Sequence, residues 1–158
     1  MNVTATETTI LIIAYLNTIA AAKGDPVEDN IFTGPNEERV NKAKQSIELL
    51  FTVDPQKYEL GDTQTESRIT YTFRFGRRDD QDNVAGTGKQ LADTFFEDYS
   101  RYIRSRQFKT YLATNQVKWM DISNLEHKPF LRTQEGMRKA EITLLVYSYI
   151  ETLEDIPV

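Results

Sequence analysis

Arg138 to Ile150 reads as one uninterrupted alternation. Ala140, Ile142, Leu144, Val146 and Ile150 share one phase, and Glu141, Thr143, Leu145, Tyr147 and Tyr149 share the other. A period of two belongs to a strand, whose successive side chains point to opposite faces of a sheet. This run is well beyond the ordinary strand of about five or six residues. A small core does not need a strand so long, so the excess suggests a surface meant for another molecule, such as a neighbouring subunit. Upstream, Val117 to Ser123 also reads as a strand, and a charged linker through Pro129 and Gly136 separates the two.

A chain of 158 residues suits one domain over 1–158 and buries roughly 68–70% of its unfolded surface without a staple. Cysteine is absent, which excludes disulfides and thiolate metal sites. The single histidine, His127, lies between Glu126 and Lys128 in the polar linker and reads as a surface residue. A net charge of -5 argues against a general nucleic-acid binder, which carries a basic field. The apolar run Thr9 to Leu16 precedes Ala20-Ala21-Ala22, but Met1 to Thr9 holds Glu7 and no Lys or Arg. A secretory signal starts positive, and the run is short of the roughly 20 residues that cross a bilayer. The expectation is an amphipathic helix in a soluble protein made in the cytoplasm, with no membrane partner.

That helix is expected over Glu7 to Lys23, capped by Thr6 and ended by Gly24, with Ile12, Leu16, Ile19 and Ala20 as its stripe. Residues 25–44 are polar and read as a long loop, with a short helix at Asn36 to Lys44 and Ile31-Phe32 as the apolar pair. Ser46 to Val53 is a strand that Asp54-Pro55 ends, and Gly61 to Glu66 reads as a loop. Arg68 to Phe75 alternates cleanly: Ile69, Tyr71, Phe73 and Phe75 point one way, Thr70, Thr72 and Arg74 the other. Leu91, Phe95, Tyr99, Tyr102 and Ile103 form a helical stripe from Lys89 to Arg106, and Phe108, Tyr111 and Leu112 a shorter piece. The order α-β-β-α-β-β defines an α+β fold, a mixed or antiparallel four-stranded sheet with helices packed on one face.

No catalytic constellation emerges. Gly86-Thr87-Gly88-Lys89 approaches a phosphate-cradling loop, but Asn83 stands where the first Gly belongs and Gln90 where Ser or Thr belongs. Arg77-Arg78-Asp79-Asp80-Gln81-Asp82 is the densest charge cluster; its spacing is not that of a calcium loop, and a solvated loop accounts for it. No carboxylate pair is placed for acid–base work, Trp119 suits the core, and neither metal nor cofactor is implied.

Four features in this order are similar to phage tail terminator (neck terminator) proteins: the strand Ile69 to Phe75 ending in Gly76, the helix Leu91 to Ile103, the Val117 to Ile122 pattern followed by Ser-Asn-Leu, and Arg138-Lys139-Ala140-Glu141-Ile142 opening the last strand. The resemblance covers most of the chain, and the 25–44 loop departs from it. It implies a virion structural protein of the tail or neck, not an enzyme. Such a subunit forms a ring, usually a hexamer, that caps the head-proximal end of a tail tube. Its partners would be itself, the tail tube protein, the neck or connector protein and a sheath, with DNA passing through the lumen without specific binding. An acidic wall would repel phosphates and let DNA slide. Another head–tail connector or tail-completion protein is the alternative, and a small cytosolic enzyme or ligand-binding domain using the Arg77 to Asp82 loop is the further one. Contacts are expected at one end of the sheet through Arg74, Arg77, Arg78, Asp79 and Asp80. Around the last hairpin, Arg132, Glu135, Arg138 and Lys139 are the candidates. The sheet face with Thr70, Thr72 and Arg74, or the far end at Ile150 to Val158, is where other subunits are expected.

Overall fold

The computed structural model describes residues 5–56, 64–78, 87–117, 126–132 and 137–152. Helix α1 (Ala5–Lys23) carries apolar residues on every side, so only packing decides which face turns inward. Ala5, Thr8, Thr9, Ile12, Leu16 and Ala20 are buried at steps of three and four, while Ile10 is 62% exposed. The helix stops as expected: Gly24 takes φ +67°, its N–H bonds Ala21 O, and Asp25 N–H bonds Ala20 O. Those two bonds satisfy the carbonyls that a helix end leaves open. By length and composition α1 is apolar enough to cross a membrane, yet one face of it lies in the protein core.

The segment 25–44 is more regular than a loop. It holds strand β1 (Ile31–Thr33) and helix α2 (Glu37–Lys42). Asn36 caps α2 by accepting the Arg39 N–H, as its short carboxamide suits. Phe32 and Val40 pair in a small cluster of their own, with the Arg39 guanidinium 4.4 Å from the Phe32 ring centre.

Strands β2 (Gln45–Gln56), β3 (Gln64–Arg78), β4 (Glu126–Arg132) and β5 (Met137–Thr152) join β1 in one five-stranded sheet of order β1-β2-β3-β5-β4. Three of the expected strands, β2, β3 and β5, form an antiparallel set with β4, and β1 adds a parallel edge beside β2. Buried Ile47, Leu49, Ile69, Tyr71, Phe73, Phe75 and Ala140 meet α1 and two further helices, α3 (Thr87–Arg104) and α4 (Arg106–Thr114), in one core. The helices pack on that face, as the alternation of β3 requires.

Several boundaries differ from the sequence reading. Asp54-Pro55 does not end β2, which runs to Gln56. At that point β2 pairs with β3 alone, because β1 reaches only Leu49, and an edge strand tolerates a residue without an N–H. The polar stretch before Glu66 enters β3 from Gln64, and Arg77 and Arg78 finish that strand instead of opening a loop. The expected linker around His127 and Pro129 is strand β4. Its register slips between Lys128 and Leu131, and Pro129 falls in that slip on the edge of the sheet. Leu91 is 43% exposed; Ala92, Phe95, Phe96, Tyr99 and Ile103 form the inner stripe of α3 instead. Val117 is buried but lies in no strand, and 118–123, with Trp119, fall outside the described residues.

Candidate interaction surface

The last strand is as long as the alternation promised, but it does not keep one face throughout. Thr70 stands opposite Leu145 and Ile69 opposite Tyr147, so Val146 is an extra residue at a bulge. A bulge places two residues against one and shifts the pleat. Before it, even-numbered β5 residues such as Ala140 and Leu144 stand in register with the buried phase of β3; beyond it, Tyr147 does.

Past the bulge the β3–β5 pairing continues. Tyr71 hydrogen-bonds the Ala5 carbonyl of α1 at 2.8 Å, which puts that rung against the helix. One rung on, Ile69 is 0% exposed, yet its partner Val53 is 40% exposed. Pairing nevertheless continues from Arg68 opposite Ser148 to Gln64 opposite Thr152. Five further β3–β5 rungs at about 3.3 Å each carry that pair roughly 16 Å past Ile69, and β2 accompanies the first three of them, to Gln56 opposite Glu66.

On the face turned away from the helices, Thr70 and Thr72 are half-buried and Arg74 is exposed. Arg74 Nε donates to Glu141 Oε1 at 2.7 Å across the β3–β5 pair. Glu48, in register with Arg74 on its other side, is turned to the 25–44 segment: its Oε2 accepts the Asn36 N–H at 2.9 Å. Gly34 lies so close that a Cβ there would stand 2.6 Å from the same oxygen.

The expected contact residues divide accordingly. Arg74 is held by Glu141, Arg78 is exposed, and Arg77 is only 6% exposed, opposite buried Gln45 at the end of the sheet. Arg132, Arg138 and Lys139 stand in β4 and β5, where Arg132 faces Arg138 and Leu131 faces Lys139 in register. Asp79, Asp80 and Glu135 lie outside the described residues, as do most of the glycine-rich loop and Ile150's neighbours after Thr152.

A polar cluster of residues far apart in the chain ties the end of α1 to α3. Lys23 Nζ donates to the Tyr102 hydroxyl at 2.7 Å and lies 3.4 Å from Asp98 and 3.8 Å from Asp25. The Tyr99 hydroxyl donates to Asp25 Oδ2 at 2.7 Å, and Arg101 pairs with Asp98. The bond to Tyr102 holds the Lys23 ammonium above its ordinary range against the opposing effect of burial. Burial first, and the Asp25 bond second, push the Tyr99 phenol well above the usual tyrosine value. Such groups stay protonated at neutral pH, which suits a latch more than proton transfer. The six residues are spread from Lys23 to Tyr102 in sequence, and only the docking of the α1 end on α3 brings them together.

Charge is also segregated on the surface. From Asp25 to Glu38 the chain has five carboxylates and no cation; from Arg101 to Lys109 it has four cations and no carboxylate. Arg106, Gln107, Thr110, Tyr111 and Thr114 line an open groove of about 500 Å³ along α4. Burial raises the Tyr111 phenol too, and its hydroxyl donates to the Leu11 carbonyl at 3.0 Å. No group of three metal-ligating side chains occurs among the described residues. No family model matches this chain, and neither does any curated protein.

Proposed function

We propose that this protein is a virion structural subunit: it forms a ring, a hexamer on the resemblance noted above, that caps the head-proximal end of a phage tail tube and joins it to the neck. The observation that carries this reading is the long β3–β5 pair, which continues for five rungs past buried Ile69 with β2 beside it for the first three. At the rung where this stretch starts, Val53 is already 40% exposed on the helix side. A long strand end exposed in this way is a template for further contacts, and a ring needs such surfaces on every subunit. The acidic balance of the chain, net -5, suits a wall past which DNA slides.

Removing the gene from the phage that encodes it is the test. Tails of uncontrolled length, or filled heads lacking tails, are the expected outcome. Normal virions would overturn the reading. Particles with correct tails that fail only at head attachment would support a connector role in its place.

A further inference from the structure

We propose that the ring contact is made by charge: the exposed acids Glu28, Asp29 and Glu37 on either side of β1 in one copy seat on the basic corner where α3 meets α4 in the next copy. This rests on the ring reading above and names the two surfaces that would meet.

The argument starts from how one copy holds these surfaces apart. On α1, Tyr15 packs on Phe108 and Tyr111 of α4, with ring centres 5.3 and 4.8 Å apart. Asn17 instead accepts the Asp29 N–H of the acidic segment at 3.1 Å. Two residues apart on a helix means about 200° of rotation at roughly 100° per residue. The acidic segment and α4 therefore flank α1 on opposite sides, separated by a helix whose width is about 10 Å. Asp25, at the start of the acidic run, already bonds Tyr99 of α3 within one copy, so the surface left for a neighbour is the remainder from Glu28 to Glu37, across α1 from α4.

Each surface is also incompletely neutralised where it stands. Glu28, Asp29, Glu37 and Glu38 are exposed, and Lys42 engages Glu38 alone, at 2.9 Å. Arg39 is turned onto the Phe32 ring and the Asp29 carbonyl. Across α1, Arg104 and Arg106 are exposed, and neither makes an ion pair among the described residues. Arg106 occupies the first turn of α4, which contains no acidic residue. A cation there adds to the positive end of the helix dipole instead of opposing it. The groove beside it, lined by Arg106, Thr110 and Tyr111, gives an incoming carboxylate-bearing turn a concave seat. Two different patches that complement each other make a head-to-tail contact, the kind that closes into a ring.

The test is a charge swap on the full-length chain, read by light scattering and negative-stain imaging at low salt. Arg104→Glu with Arg106→Glu should weaken self-association at least tenfold, because like charges then face each other. Adding Glu28→Lys and Glu37→Lys to the same chain should restore rings. The wild-type ring should also loosen as sodium chloride is raised, with the far-UV circular dichroism unchanged, which separates assembly from folding. Rings that survive the double Arg reversal, or that the swap fails to restore, overturn this contact and leave the ring itself standing. A wild-type chain that stays monomeric both alone and on tail tubes overturns the contact and the ring together.

Discussion

Gly34→Ala should be among the costliest single-methyl changes in the protein, and its cost should depend on a residue fourteen positions away. The added Cβ would stand 2.6 Å from Glu48 Oε2 and 3.2 Å from its Cδ. Real Cβ atoms keep outside about 3.0 Å, so the carboxylate has to move. It is not at liberty to do so, since Glu48 is 8% exposed and its Oε2 accepts the Asn36 N–H at 2.9 Å. Displacing it breaks a bond to a charged group, worth about 1.5–3 kcal/mol. Glu48→Ala loses the same bond directly and should cost a similar amount. Once Glu48 is Ala the obstructing oxygen is gone, and only the 3.3 Å approach to its Cβ remains. The double variant should therefore lie within about 0.5 kcal/mol of Glu48→Ala alone, a strongly non-additive cycle. Urea titrations followed by far-UV circular dichroism measure all four corners, provided the slope stays constant. Additive costs, or a Gly34→Ala protein as stable as wild type, would refute the reasoning.

Sidedness of α1 offers a simpler check: Leu16→Ala, at 0% exposure, should cost about 2–5 kcal/mol. Ile10→Ala, at 62% exposure, should stay within about 0.5 kcal/mol of wild type in the same urea assay. Equal costs would mean that the wrong face of the helix had been assigned to the core. The latch between α1 and α3 should show in alkali. Tyr99 is favoured in its neutral form and Lys23 in its charged form, so both folded values are raised above 10.0 and 10.5. Their contributions are complete below those ordinary values and are lost as pH rises through the folded ones. The stability gap between wild type and Tyr99→Phe should hold from pH 7 to 9 and narrow above about pH 10; a gap that widens there would contradict this assignment.

Much of the fold was legible because the relevant signals are local. The alternation of Ile69 to Phe75 needs only the period of the pleat to be read as a half-buried strand, and its apolar phase, Ile69, Tyr71, Phe73 and Phe75, is buried as expected. Gly24 ends α1 because the left-handed turn there suits a residue without a Cβ. The candidate contacts were less legible. Arg77 looked like a loop cation in a run of charges, but it continues β3 on the phase of Phe75 and is buried. A charge run carries no mark of where a strand ends. The segregation of acids into 25–38 and cations into 101–109 was present in the sequence throughout, yet its meaning depends on which side of α1 each run occupies.

By itself, then, the amino-acid sequence determined the alternating strands, the helix stripes and stops, and the α+β class, since each follows from spacing and capping within a few residues. Tertiary structure alone decided the rest. It set the strand order, the face that apolar-all-round α1 turns inward, and the bulge at Val146 that exchanges the phases of β5. It also made a ribbon out of strand ends that would otherwise have been read as turns. Those outcomes depend on partners that are distant in sequence, as when Tyr71 meets Ala5 or Glu48 meets Asn36, and no local period records which partner will arrive.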